Sequence, residues 1–143
     1  MMVYQLNYIT VIYNLIIFYN ELTGDFLLID WRDNFGESKD FGDVYYDLAK
    51  LYGGITMNYS LVKDVKNYSF NKDKNYVTYS YKSDNNLEIF KTYYEKWIIN
   101  NGYDLNKIKK ITAIIYLNMS PLHCDGLDDL LFFHSLKMLN EII

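Results

Sequence analysis

The sequence predicts an α+β fold in which helices outnumber strands. Two segments have the pattern of β-hairpins, one ending near residue 30 and one at residues 67–82. From Asp84 onward, apolar residues recur every three or four positions, as in amphipathic helices. With 143 residues, half of them apolar, the chain has the length of one domain and enough apolar surface for a core. We therefore expect a single domain over residues 1–143, with residues 1–12 as a candidate non-native extension.

The first hairpin is predicted from two apolar runs that flank a polar turn. Residues 13–19 are rich in Ile, Tyr and Phe, residues 20–25 have turn chemistry, and a second apolar run covers residues 26–30. Asp30 falls at the end of this second strand. The polar segment 33–42 contains two glycines and is predicted to be a loop.

A helix is predicted to begin directly after this loop. The Asp43 side chain can accept a hydrogen bond from a free amide of the first turn, so Asp43 is the expected N-cap. The pair Gly53-Gly54 predicts the end of the helix, because glycine is common just past a helix C-terminus. The apolar stripe of this helix is Val44, Leu48, Leu51 and Tyr52.

Residues 55–82 are predicted to form a short helix and then the second hairpin. The helix covers residues 55–66, around Leu61 and Val65. Between Asn67 and Lys82 the pattern changes to period two, in which apolar and polar residues alternate on either side of a polar turn. The alternating apolar residues are Tyr68, Phe70, Val77, Tyr79 and Tyr81.

The remaining residues predict three helices that pack as a bundle. The first ends at Asn100-Asn101-Gly102, the second is capped by Asp104 and stops before Pro121, and the third begins near Leu127. The residues expected to face inward are Leu87, Phe90, Tyr94 and Trp97 in the first, Ile108, Ile111, Ile115 and Leu117 in the second, and Leu130, Leu131, His134 and Met138 in the third.

Charge and cysteine content exclude several classes of function. The net charge is −4, so the chain has no overall basic field for nucleic acid or an anionic membrane. Cys124 is the single cysteine, which excludes an internal disulfide and a cysteine-based zinc site. The apolar start has no basic residue before Arg32, unlike a signal peptide. We expect a cytoplasmic protein without nucleic-acid or membrane partners.

Asp30 is the main candidate functional residue. A carboxylate at a strand end beside an open loop suits Mg²⁺, which prefers oxygen ligands, and Asn14 on the partner strand could add an amide oxygen. The alternative is structural, with Asp30 capping the loop and pairing with Arg32. Asp43 is explained by helix capping, and Asp47, one turn later, could pair with a loop cation or with Arg32.

The remaining reactive side chains are not expected to be catalytic. His123 follows Pro121 in a turn, and His134 lies in a helix rich in Leu and Phe, so each is better explained as a structural histidine. No basic residue or catalytic histidine is indicated near Cys124 that would activate its thiol. We therefore assign no catalytic residue from the sequence.

Two segments resemble a known family. Leu28 to Gly36 together with Gly42 to Leu51 is similar to the region around the metal-binding aspartate of the choline kinase and aminoglycoside phosphotransferase family, which are protein-kinase-like small-molecule kinases. Ile115 to His123, ahead of the last helix, resembles the C-terminal part of bacterial and viral members. The resemblance covers residues 13–143.

The resemblance implies that the chain is the C-terminal lobe of a bilobed kinase-like fold. Asp30 then corresponds to the aspartate that holds magnesium on the nucleotide phosphates, and Asn14 to the metal-binding asparagine. Arg32, Asp43 and Asp47 would support the site. Magnesium with ATP is the implied cofactor, provided that an N-terminal lobe is supplied.

The chain departs from the family pattern in two ways. No His-Gly-Asp motif precedes Asn14, so the catalytic base is missing, and there is no room for a nucleotide-binding lobe. We expect a truncated lobe that is inactive alone, and whose partners are a separate N-lobe chain or a second copy bound through the exposed N-terminal strand. The small-molecule acceptor stays open. The alternative is a non-catalytic protein-interaction module built on a degenerate kinase-like lobe.

Overall fold

The computed structural model describes residues 16–19, 22–29, 37 and 43–142. These residues form an α+β structure that is mostly helical, which confirms the predicted class. In chain order the elements are β1 (Ile16–Tyr19), β2 (Phe26–Ile29), α1 (Val44–Thr56), α2 (Tyr59–Val62), a 3₁₀ turn (Val65–Asn67), β3 (Tyr68–Lys72), β4 (Val77–Tyr81), α3 (Asn85–Asn100), α4 (Leu105–Met119), a second 3₁₀ turn (Ser120–Leu122) and α5 (Leu127–Ile142).

The two predicted hairpins are present as antiparallel pairs. In the first, β1 pairs with β2 and Ile16 lies opposite Ile29. In the second, β3 pairs with β4 and Tyr68 lies opposite Tyr81. The predicted extension at residues 1–12 and most of the loop at residues 33–42 lie outside the described residues.

The helices pack around α4. Helix α4 contacts α1 on one side and α5 on the other, and α3 packs mainly on α1. The expected packing of α4 on α5 is therefore present, whereas α3 joins the bundle mainly through α1. The buried core consists of Ala49, Tyr52, Ile55, Met57, Val62, Tyr94, Ile98, Ile108, Ala113, Tyr116, Leu127, Leu130, Leu131 and Met138.

The predicted end of α1 at Gly53-Gly54 is wrong, because the helix continues to Thr56. Gly53 is buried where α1 crosses α4. A Cβ at this position would lie 3.4 Å from Thr112 Cγ2 and 3.5 Å from Tyr116 Oη. The site leaves room for a Cβ at van der Waals distance, and contacts along α1 compensate for the low helix propensity of glycine.

The predicted helix over residues 55–66 is also wrong in its extent. Two polar side chains interrupt it: Asn58 caps α2 by accepting from Ser60 N, and Asp64 caps the following 3₁₀ turn by accepting from Lys66 N. Val65, which was expected to be central, is 55% exposed. Local side-chain bonds to backbone amides compete with a continuous helix at these positions.

The inward faces of the last three helices are correct only in part. In α5 the four residues expected inward, Leu130, Leu131, His134 and Met138, are all buried. In α4 Ile108 is buried as expected, whereas Ile111, Ile115 and Leu117 are only partly buried. The other buried residues of α4 are Thr112, Ala113 and Tyr116. In α3 the buried residues are Tyr94 and Ile98, whereas Phe90 and Trp97 remain 46% and 42% exposed.

Candidate functional site

The two predicted metal ligands flank the first hairpin in sequence. Asp30 follows Ile29, the last residue of β2, and Asn14 stands two positions before Ile16, the first residue of β1. The described pairing of β1 with β2 thus adjoins both predicted ligands in sequence. Asn14, Asp30 and Arg32 themselves lie outside the described residues, so their assignment stays a prediction.

Asp43 has the geometry expected of a helix N-cap. Its Oδ1 accepts a hydrogen bond from Tyr45 N at 2.9 Å, and its carbonyl oxygen accepts from Tyr46 N at 2.9 Å and from Asp47 N at 3.3 Å. These bonds satisfy amides that a helix start otherwise leaves without partners. The predicted capping role is confirmed.

Asp47 is exposed and lies one helical turn after the cap. A nearby positive charge would stabilise its carboxylate. Partial burial raises the pKa of Asp47, the neighbouring Asp43 raises it further, and Lys50 opposes the rise. A cation close to the pair would relieve this repulsion. Within the described ranges, no group of three or more His, Cys, Asp or Glu residues is arranged to hold a metal, so such a site would need ligands from elsewhere in the chain.

Helix α1, which carries these two acids, is anchored by side-chain hydroxyls from its neighbours. The hydroxyls come from α3 and α4 and donate to carbonyl oxygens in the middle of α1. Such bonds fix the position of α1 along its axis, which packing of apolar groups alone does less well. The bonds are Tyr94 Oη to Leu48 O (3.2 Å), Thr112 Oγ1 to Ala49 O (2.9 Å) and Tyr116 Oη to Gly53 O (2.6 Å).

A polar cluster joins α1, α3 and α4 on the same side of the bundle. Tyr52 Oη donates to Glu95 Oε1 at 2.6 Å, and Lys109 Nζ lies 3.1 Å from the same oxygen. Burial raises the pKa of Glu95, but the bonds from Tyr52 and Lys109 outweigh it, so the net shift is downward. Tyr52, Glu95 and Lys109 bind one another, so the cluster links the three helices.

His134 is enclosed by aromatic rings between the second hairpin and the bundle. Its Nδ1 lies 3.1 Å from Tyr79 Oη, and the rings of Tyr79, Tyr81 and Tyr116 pack around it with centroids 5.5 to 5.9 Å away. Its Nε2 is buried and finds no hydrogen-bond partner among the described residues. Burial lowers the pKa of His134 to about 4, so the ring is neutral at pH 7 and links the hairpin to α5, as expected of a structural histidine.

Aromatic side chains also link the second hairpin to α5 and to the turn before it. Phe70 and Phe133 lie with ring centroids 5.5 Å apart, and Tyr68 Oη donates to Asp125 O at 2.7 Å. His123 packs on Tyr59, with centroids 5.6 Å apart. These contacts are consistent with structural roles for both histidines.

An apolar groove between α1 and α3 is a feature that the sequence pattern does not reveal. It has a volume of about 300 Å³ and is lined by Leu48, Leu51, Phe90, Tyr93, Tyr94 and Trp97. The rings along α3 stack nearly parallel: Phe90 and Tyr94 are 6.4 Å apart, Tyr94 and Trp97 6.0 Å, and Trp97 and Tyr103 6.2 Å. The spacing of Phe90, Tyr94 and Trp97 predicts a core face, but in the structure it forms one wall of this groove.

Comparison with protein-family models, curated proteins and solved structures gives no match for this chain. Among the helices of the described ranges, none combines the length and apolarity that crossing a bilayer requires.

Proposed function

We propose that this chain is the C-terminal lobe of an ATP-dependent small-molecule phosphotransferase of the choline kinase type. Asp30 binds Mg²⁺, Asn14 is a further ligand, and Arg32, Asp43 and Asp47 support the site. The observation that carries the proposal is the acidic start of α1. Asp43 caps a helix whose carbonyls are bonded to α3 and α4, and in sequence this helix comes directly after the predicted loop at residues 33–42.

Two acidic side chains in the described part of the chain support the proposal. Asp43 and Asp47 place two carboxylates one turn apart, and their mutual repulsion helps to raise the pKa of Asp47. Mg²⁺ takes carboxylate and amide oxygens together with phosphate oxygens, which is the donor set that Asp30 and Asn14 would provide. When bound, the ion would neutralise charge on the nucleotide phosphates.

In this proposal the chain supplies the metal-binding part of the active site. Phosphoryl transfer also needs a group that positions the acceptor hydroxyl and a lobe that holds the nucleotide. The histidines of the sequence are His123 and His134, both after the predicted metal residues, so no His-Gly-Asp motif precedes Asn14. A base and a nucleotide-binding lobe would come from other residues, in the same polypeptide or in a partner.

Metal binding is therefore the property to test. We expect Mg²⁺ to raise the melting temperature of the full chain, because a ligand at ten times its dissociation constant stabilises by about 1.4 kcal/mol. Differential scanning fluorimetry with increasing Mg²⁺, with and without ATP, measures the shift. Asp30→Asn should abolish it.

Asp33→Asn is the matched control, since it makes the same charge change three positions away at a residue with no assigned role. A shift that persists in Asp30→Asn, or no shift at any Mg²⁺ concentration, would refute the role of Asp30.

The second candidate function is a non-catalytic interaction module built on the same helices. The observation in its favour is the exposed aromatic groove between α1 and α3. In this case Asp30→Asn would leave the response to Mg²⁺ unchanged, and substitutions in the groove would alter binding to a protein. The fluorimetry experiment above therefore separates the two candidates.

A further inference from the structure

Helices α1 and α3 present a continuous apolar surface, here called the α1–α3 face. On α3 it includes Ile89 and Tyr93, whose side chains are 71% and 68% exposed. These two side chains therefore contribute little to the core of their own domain. Apolar surfaces of this extent on a single domain commonly mark an interface. The face is formed by Val44, Leu48 and Leu51 of α1 and Ile89, Phe90, Tyr93 and Trp97 of α3.

The face has a ridge and a groove side by side. Ile89 lies on the outer side of α3 and Tyr93 lies between it and the groove, at the groove rim, and the high exposure of both side chains makes them a ridge. The groove runs between α3 and α1, and Leu48 and Leu51 form its other wall. A surface with both features can dock onto a copy of itself if the ridge of each copy enters the groove of the other.

Each long edge of the face has one exposed charged residue, and the two residues have opposite signs. By helical geometry Lys96 lies beyond Ile89, on the side of α3 that is turned away from α1, and Asp47 lies beyond Leu51, on the side of α1 that is turned away from α3. Both charged side chains are exposed. The apolar face is thus bordered by a cation on one side and an anion on the other.

Lys96 and Asp47 also lie at similar heights along the two helices. Trp97 stacks on Tyr103, whose ring contacts Tyr45 at the start of α1. Tyr94, one turn earlier in α3, donates to the carbonyl of Leu48. The helices therefore run antiparallel, which brings Lys96 level with the first turns of α1.

We propose that the α1–α3 face is the interface of a homodimer. A two-fold axis parallel to the helices places the ridge of one copy, Ile89 and Tyr93, in the groove of the other. The same rotation brings Lys96 of each copy opposite Asp47 of the other, so both edges of the interface pair unlike charges. An isologous contact of this kind is the commonest arrangement of protein dimers.

Self-association accounts for the face better than a partner of a single charge sign would. Such a partner would repel one of the two edges, whereas a second copy is complementary to both. The proposal does not depend on metal binding by Asp30. It also differs from association through the N-terminal strand, because it uses different residues.

The size of the face indicates a weak dimer. Helix α3 has 16 residues, and at 1.5 Å per residue and a width of two helices the contact covers on the order of 1,000 Å² in total. Stable complexes bury about 1,200 to 2,000 Å², so a dissociation constant in the micromolar range is expected. The mass should therefore change with concentration.

Sedimentation equilibrium of the full chain from about 1 to 500 µM, in EDTA, tests this proposal and brackets a micromolar dissociation constant. EDTA removes divalent metal, so failure of the metal proposal does not affect the result. Tyr93→Glu should raise the dissociation constant at least about tenfold, because it places a charge at the centre of the interface. Ile99→Glu is the matched control, since Ile99 lies on the opposite side of the same helix and is 58% exposed.

Charge exchange tests the orientation of the two copies. Lys96→Asp and Asp47→Lys should each raise the dissociation constant about fivefold or more, and the double variant should return it to near the original value. Circular dichroism checks that each variant remains folded. A monomer at every concentration, a dimer unaffected by Tyr93→Glu, or a double variant as weak as the single ones would overturn the proposal.

Discussion

Replacing Gly53 by Ala provides a direct test of how α1 is built. Alanine is favoured over glycine by about 0.8 to 1.0 kcal/mol in a helix interior. The added Cβ would meet Thr112 Cγ2 at 3.4 Å and Tyr116 Oη at 3.5 Å, which are ordinary van der Waals distances. We therefore expect Gly53→Ala to raise the free energy of unfolding by about 1 kcal/mol and the melting temperature by about 4 °C.

The sign of this effect distinguishes two structures for the Gly53-Gly54 pair. If the helix ended there with glycine in a left-handed conformation, alanine would destabilise the protein by about 1 kcal/mol or more. Gly102→Ala serves as the reference for that case. Gly102 has a φ of +77° and no atom within 4 Å of the position a Cβ would take, so its substitution introduces backbone strain without a clash.

Urea unfolding followed by circular dichroism measures both variants. An unchanged slope of free energy against urea concentration indicates that only stability changed. Gly53→Leu should in contrast destabilise by about 1 to 3 kcal/mol, because atoms beyond Cβ would overlap α4. If Gly53→Ala lost as much stability as Gly102→Ala, the continuation of α1 to Thr56 would be refuted.

Two further predictions concern groups that hold other elements to the bundle. The pKa of His134 falls from 6.5 in the unfolded chain to about 4 on burial, so its contribution is present above pH 6.5 and is lost as the pH falls to 4. The loss of stability amounts to on the order of 3 kcal/mol, and urea unfolding at pH 7 and pH 4.5 should show most of it. The His134→Phe variant should not show this loss, and an equal loss in that variant would contradict the assignment. Thr112→Val removes the buried bonds to Ala49 O and Ile108 O and should cost about 1 to 2 kcal/mol by the same assay. Thr92→Val, which removes an exposed bond within α3, should change stability by less than about 0.5 kcal/mol, and equal effects in the two variants would argue against the role of Thr112.

The features of the candidate site that could be predicted are those formed by neighbours in sequence. Asp43 was identified as an N-cap because the amide that it binds, that of Tyr45, is two residues away. Asp104 was identified on the same reasoning, and it accepts from Lys107 N. The prediction of Asp30 and Asn14 as metal ligands has the same local origin, from a strand end and a resemblance, and it stays a prediction.

The features that could not be predicted depend on residues far apart in the chain. The raised pKa of Asp47 arises first from burial, which the sequence does not specify. The Tyr52, Glu95 and Lys109 cluster brings together three helices, and no spacing within any one of them indicates it. The groove between α1 and α3 exists only because the two helices lie side by side.

The sequence by itself determined the class of the fold, both hairpins and the capped starts of the helices, because turn residues, caps and periodicity act over a few positions. Only the tertiary structure decided that α1 continues through Gly53, since the contacts that favour it come from Thr112 and Tyr116 of α4. It also decided that Trp97 and Phe90 stay half-exposed. An apolar stripe shows that a helix has a side suited to burial, but the packing of the other helices determines which part of that side is covered.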